Sequence, residues 1–291
     1  MKACLPAETC STSRIRIELK RRVVKLGGPI LLFLFTLLLF YSFTLVNAQE
    51  FDFNRAFNDY IYNYNLYRST HLDYVTKKSE YQTYDTLTSK TQALEAARKM
   101  LLQRDKALET YFTTLRMKLK EETGIESYKQ NLYFLKLDDE VTWLKNHQSL
   151  LSSPSTIEDL IKESRRLETR FPNIQIINYQ TLGVVLEGKE IYLKDEVQEL
   201  IDLVEKKIIE IRESGEDTQI LERWLIEAKQ KKTLSEQKQA EAIGILSTME
   251  PRDTDKSKKY DQTRHLMGES NQYLKEAISF LKEIIREVKR A

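Results

Sequence analysis

Three histidines, two cysteines, fifteen tyrosines and forty-four acidic side chains are the groups in this 291-residue chain that could carry chemistry. His71, His147 and His265 are too widely spaced for a shared helical metal site, and no H-E-x-x-H occurs. Each therefore reads as a packed or partly solvated side chain. Ser235-Glu236-Gln237-Lys238 has the S-x-x-K spacing, which puts a lysine one turn from a hydroxyl it could activate for acyl transfer. No K-T-G follows it. Asp253, Asp255 and Ser257 start like a calcium loop, but Lys258 replaces the required glycine and Arg264 the closing glutamate. G-x-S-x-G, a P-loop and G-x-G-x-x-G are all missing. The expectation is a non-enzyme with no catalytic residue, metal or cofactor, although 44 acids leave room for an unmarked carboxylate pair.

Tyrosine is the unusual signal. Tyr60, Tyr62, Tyr64, Tyr67, Tyr74, Tyr81 and Tyr84 place 7 of the 15 tyrosines within 25 residues. A phenol offers an apolar face and a polar tip, which suits contact with a partner protein or glycan. Tyr60, Tyr62, Tyr64, Tyr67 and Tyr74 are thus a candidate interaction surface. The plainer reading is a core stripe with its hydroxyls at the rim. Tyr62 falls off that stripe and is expected to be exposed.

The charge balance narrows the partners. The whole chain carries +2, but residues 1–48 hold seven bases and two acids, so the remainder carries 2 − 5 = −3. A mildly acidic body without a basic block argues against nucleic acid, which demands concentrated positive charge. Cys4 and Cys10 both precede the hydrophobic stretch, so neither a disulfide framework nor a thiolate metal site is expected in the body.

Residues 26–46 carry no charge and follow a basic stretch. A basic flank, a dense apolar run from Ile30 to Phe40 and a small-residue exit at Val46-Asn47-Ala48 are the parts of an export signal. Cleavage is expected between Ala48 and Gln49, releasing the body beyond the cytoplasmic membrane. The alternative is an uncleaved anchor, since 21 apolar residues can just span a bilayer.

From Phe51 onward the periodicity is helical. Phe53, Phe57, Tyr60, Tyr64, Tyr67, His71, Tyr74 and Tyr81 form one stripe. The phase shifts near Tyr84, and Leu87, Leu94, Leu101, Leu108 and Leu115 then repeat by seven. This predicts one very long helix, or two nearly collinear ones broken near Tyr84. Gly124 should stop it in a left-handed cap. A helix follows to Leu151, and the next, capped by Ser155 with Glu158, should end before Pro172. Residues 181–193 read as helix, with a hairpin turning at Glu187-Gly188 as the alternative. Gly215 and Pro251 bound the remaining helices. The expected fold is all-α: an elongated, coiled-coil-like antiparallel bundle of about six helices. Its expected parts are the leader at 1–48, a long helix with its return at 49–151, and a second half at 152–291, with a hinge around 152–173. The expected role is structural, or binding of a protein or envelope component. A membrane-anchored ligand-sensing or substrate-binding module is the runner-up, and a helical envelope enzyme comes third.

Overall fold

The computed structural model describes residues 52–152 and 156–290. The expected cleavage site at Ala48 and Gln49, the apolar run at 26–46 and both cysteines lie outside these residues. Six helices cover the described chain, with no strand among the described residues: α1 (Phe53–Tyr84), α2 (Leu87–Glu121), α3 (Ser127–Leu151), α4 (Ile157–Glu213), α5 (Gln219–Ser247) and α6 (Lys256–Val288). They belong to one compact unit, Phe51–Ala291, which is an all-helical bundle. No described helix is long and apolar enough to cross a membrane.

The chain does not continue collinearly past Tyr84. Asp85 takes a left-handed conformation (φ 46°) and its N–H bonds to the Tyr81 carbonyl. Thr86 then caps α2 in a reciprocal box with Ser89. Two residues thus reverse the chain, and α2 runs back along α1. Thr114 Oγ1 donates to the Ala56 carbonyl at 2.8 Å, and Gln103 Nε2 to the Asn63 carbonyl at 3.2 Å. An aspartate tolerates the left-handed position because its short polar side chain costs less there than a bulky one. A reversal built this way leaves no glycine or proline in the pattern to announce it.

Gly124 does not take the left-handed cap: among the described glycines only Gly215 has positive φ, at 89°. Gly124 serves closeness instead. A Cβ built on it would lie 2.1 Å from the Gly188 carbonyl oxygen on α4, and one on Gly188 would meet the Ile125 side chain at 2.6 Å. Two missing side chains let the α2–α3 turn press onto α4.

α4 runs unbroken for 57 residues through Pro172, where the pattern predicts a stop and a hinge. A proline inside a helix costs about 3 kcal/mol through its lost N–H bond and ring clash. Leu167 and Ile174 on either side are both buried in one core, and this packing outweighs the penalty. Residues 181–193 are helical, so the hairpin alternative falls away. The α4 cap is Thr156, whose side chain accepts from the Asp159 N–H; Ser155 lies outside the described residues.

Two cores share α4. Its first part packs with α2 and α3 around Phe112, Leu119, Leu137, Leu144, Leu167 and Ile174. Its later part packs with α5 and α6 around Val197, Ile201, Leu225, Leu274, Leu281 and Ile284.

Candidate functional site

Among the described helices α1 packs on α2 alone, while the first part of α4 packs on α2 and α3. α1 and α4 therefore stand on either side of α2 with no close backbone approach, and α2 floors a groove between them. α1 can lie close because α2 offers it small side chains: Ala96, Ala107 and Thr114 are buried on the face that also carries Gln103. The cost of that choice falls on α1. Of its 32 residues only Ala56 is buried.

The groove holds two open cavities. One, of about 450 Å³, lies toward the α1–α2 reversal between Tyr74, Tyr81, Leu94, Leu101, Leu160 and Ile161. The other, of about 460 Å³, lies between Tyr60, Tyr64, Tyr67, Leu108, Tyr111 and Phe171, with Arg104 and Glu168 as its charged groups. Rings run along the α1 wall. Phe53 stacks on Phe57 at 5.8 Å, Tyr60 sits 5.9 Å from Tyr64, and His71 lies between Tyr67 and Tyr74 at 6.0 and 6.5 Å. Tyr60 also meets Tyr111 of α2 at 5.2 Å.

The five tyrosines singled out from the sequence do not all share this site. Tyr60, Tyr67 and Tyr74 are half-buried, their inner edges against α2. Tyr64 is 41% exposed and opens into the groove. Tyr62, 69% exposed, points elsewhere. Burial raises the Tyr60 phenol, with help from Tyr64. It pushes Tyr111 up to about 12, with smaller contributions from Tyr60, Tyr260 and Tyr179, against the Asn178 oxygen that accepts its hydrogen bond at 2.5 Å.

Two buried polar layers lie inside the bundle, the first directly behind the groove, since Asp105 bonds the cavity-lining Arg104 at 3.3 Å. In the first, His147 Nδ1 meets Asp105 Oδ2 at 2.5 Å while Nε2 donates to the Glu163 carbonyl at 3.0 Å. Trp143 stacks on the His147 ring at 4.8 Å, and Arg170 covers Trp143 at 4.9 Å while it forks onto Glu140. The layer ties α2, α3 and α4 together. In the second, Glu190 of α4 accepts from Ser270 and Asn271 of α6, and Ser270 bonds Ser235 of α5 at 2.8 Å. Burial raises the Glu190 carboxyl above its ordinary 4.5, opposed by its hydrogen bonds to Asn271 and Ser270.

The catalytic look-alikes take ordinary roles. Ser235 turns inward to Ser270, whereas Lys238 pairs with Glu269 at 3.1 Å. Asp253 accepts from the Glu250 N–H and from Lys259, which together hold its carboxyl below the usual range. His71 and His265 are exposed. Among the described residues no three His, Cys, Asp or Glu side chains converge as metal ligands.

Sequence reasoning missed the polar layers, although a signal for them exists. Asp105 stands four residues after Leu101 and three before Leu108, on the apolar stripe of α2. His147 stands likewise between Leu144 and Leu151, and Glu190 is seven residues before Val197. A charged or polar group on a buried stripe implies a partner on another helix. No protein-family model matches the chain, and no curated protein or solved structure does either.

Proposed function

We propose that this chain is an exported, non-enzymatic helical-bundle protein whose work is to hold another protein or envelope component along the α1 face. The observation that carries this reading is the packing of α1. A 32-residue helix buries one side chain, yet it lines up Tyr60, Tyr64 and Tyr67 along an open groove, with Phe57 exposed next to Tyr60 at 6.4 Å. An amphipathic helix is stable in water when its apolar face is covered, and contiguous exposed apolar surface marks interaction sites. The polar layers support the same reading from the other side. Their buried acids are paired inside the bundle, Asp105 with His147, Glu140 with Arg170 and Glu190 with Ser270 and Asn271, which gives them a structural role. The export assignment rests on the basic–apolar–small pattern of residues 1–48.

One observation favours a second reading, a membrane-anchored ligand-sensing or substrate-binding module. The cavity beside Tyr111 gathers four tyrosines, Arg104 and Glu168 around about 460 Å³, enough for a small molecule.

The double variant Phe57→Ser, Tyr64→Ser separates function from folding. In cells that make the protein, the wild type is expected to sediment in an assembly larger than itself. The variant is expected to sediment alone yet stay folded, with its unfolding free energy lower by only about 2–3 kcal/mol, because both rings are already over 40% exposed. A wild type that sediments alone, or a variant that keeps the assembly, contradicts the proposal.

A further inference from the structure

We infer that the α1–α4 groove takes a single amphipathic helix from another protein, with an apolar stripe along its base and acidic residues on the flank that faces α1. The inference rests on the interaction reading above and names the partner's chemistry. Shape comes first. The α4 wall presents Ile157, Leu160, Ile161, Ser164, Leu167 and Phe171 at steps of three and four. The α1 wall presents Tyr60, Tyr67, Tyr74 and Tyr81 at steps of seven. Two walls with heptad spacing and a largely apolar floor, with Leu94, Leu101 and Leu108 at steps of seven, are the mould of a missing bundle helix. From Ile157 to Phe171 the shared stretch is about 21 Å at about 1.5 Å per residue, or four turns of an incoming helix. That stretch also spans both cavities, which a small ligand would leave half empty.

Charge then selects the occupant. Arg68 lies four residues after Tyr64, on its face of α1, and is exposed. Lys78 lines the groove beside Tyr74. The acids of α1, Asp59, Asp73 and Glu80, fall away from the groove by the same helical count. The α1 lip is therefore basic on a body whose net charge is 2 − 5 = −3. A second copy of this chain would set like lips against each other, whereas an acidic flank is drawn to this one. On the α4 wall Glu168 lines the groove, so a base on the opposite flank of the partner fixes its register.

The test uses the full-length protein and three fluorescein-labelled peptides of about 21 residues, long enough to fill the groove as a helix. One carries leucine at heptad a and d positions with glutamate on one flank. The second has lysine on that flank, and the third is the glutamate peptide broken by two central prolines. By anisotropy, the glutamate peptide is expected to bind at least tenfold more tightly than either control, and less tightly as salt rises. Arg68→Glu with Lys78→Glu is expected to reverse the preference between glutamate and lysine peptides. Ile161→Glu, an exposed wall position, is expected to abolish binding with helix content unchanged. Equal binding of both flanks, binding of the proline peptide, or indifference to Ile161→Glu overturns the inference. So does a concentration-dependent dimer that Ile161→Glu dissolves, which would make the occupant a second copy. If peptides fail while the Phe57→Ser, Tyr64→Ser variant still loses its assembly, the acidic helix falls and the interaction reading stands.

Discussion

His147 on α3 and Asp105 on α2 meet at 2.5 Å inside the bundle, both essentially without solvent contact. Removing one member of a buried hydrogen-bonded pair leaves part of the other's bonding capacity unmet, a loss of about 1–3 kcal/mol, even though Asp105 keeps Arg104 at 3.3 Å and His147 keeps the Glu163 carbonyl at 3.0 Å. Asp105→Ala and His147→Ala are each expected to cost about that much. The double variant should cost less than their sum, because the hydrogen bond they share is then lost only once. Chemical denaturation of the four proteins in a double-mutant cycle checks this. Additive losses would mean that the two side chains act independently.

Glu190 sets a pH dependence. Its folded pKa is raised, mainly by burial, so the protonated form is favoured by folding. The resulting stability is fully present below the ordinary 4.5 and is lost as pH rises through the higher folded value. Glu190→Gln keeps a neutral side chain at every pH, and the Ser270–Ser235 hydroxyl pair can turn to accept from it. Its stability relative to wild type is expected to improve as pH climbs from acid to neutral. A difference that stays flat across that range would show that Glu190 ionises without penalty.

Two glycine substitutions should move stability in opposite directions. Gly124→Ala drives a methyl into the Gly188 carbonyl and is expected to cost about 1–3 kcal/mol or more. Gly268 lies inside α6, and a methyl there would have nothing within 4 Å, so Gly268→Ala should gain about 0.5–1 kcal/mol from helix propensity. Thermal melts of the two variants decide it; a Gly124→Ala variant as stable as wild type would mean that close approach is not what Gly124 provides, and a loss at Gly268→Ala would contradict the open space there.

Tyr111 should be among the last tyrosines to ionise. Its phenol is pushed up from 10.0 to about 12, so the stability it adds is fully present below pH 10.0 and is lost as pH rises through about 12. Tyrosinate absorbance across an alkaline titration should show a late step that Tyr111→Phe removes. Ionisation of all tyrosines in one step near 10.0 would contradict the burial of this ring.

How much of this is legible in the sequence differs from element to element. Helices with sustained seven-residue repeats, such as Leu94 to Leu115 and Met267 to Val288, read directly because one covered face imposes one period, although Leu87, first in the repeat, is 81% exposed. The reversal at Asp85 does not, since a left-handed aspartate leaves no glycine or proline to mark it. Pro172 misleads for the opposite reason: a local penalty of about 3 kcal/mol is outweighed by the burial of Leu167 and Ile174, which only the assembled core supplies. The tyrosine stripe is visible on α1, but a periodicity cannot say whether its partner is another part of the same chain. Only the placement of α4 on the far side of α2 shows that one edge of the stripe stays uncovered.

The central claim is that α1 has α2 as its one neighbour among the described helices and leaves its other edge uncovered, and amide hydrogen exchange on the isolated full-length protein tests it most directly. Local opening is cheap where few apolar contacts are buried. The amides of α1 are predicted to exchange at least tenfold faster than those of α2, which buries Leu101, Phe112, Leu115 and Leu119. Protection of α1 equal to that of α2 would mean that its packing is already complete, and the account of the groove as a docking face would be wrong.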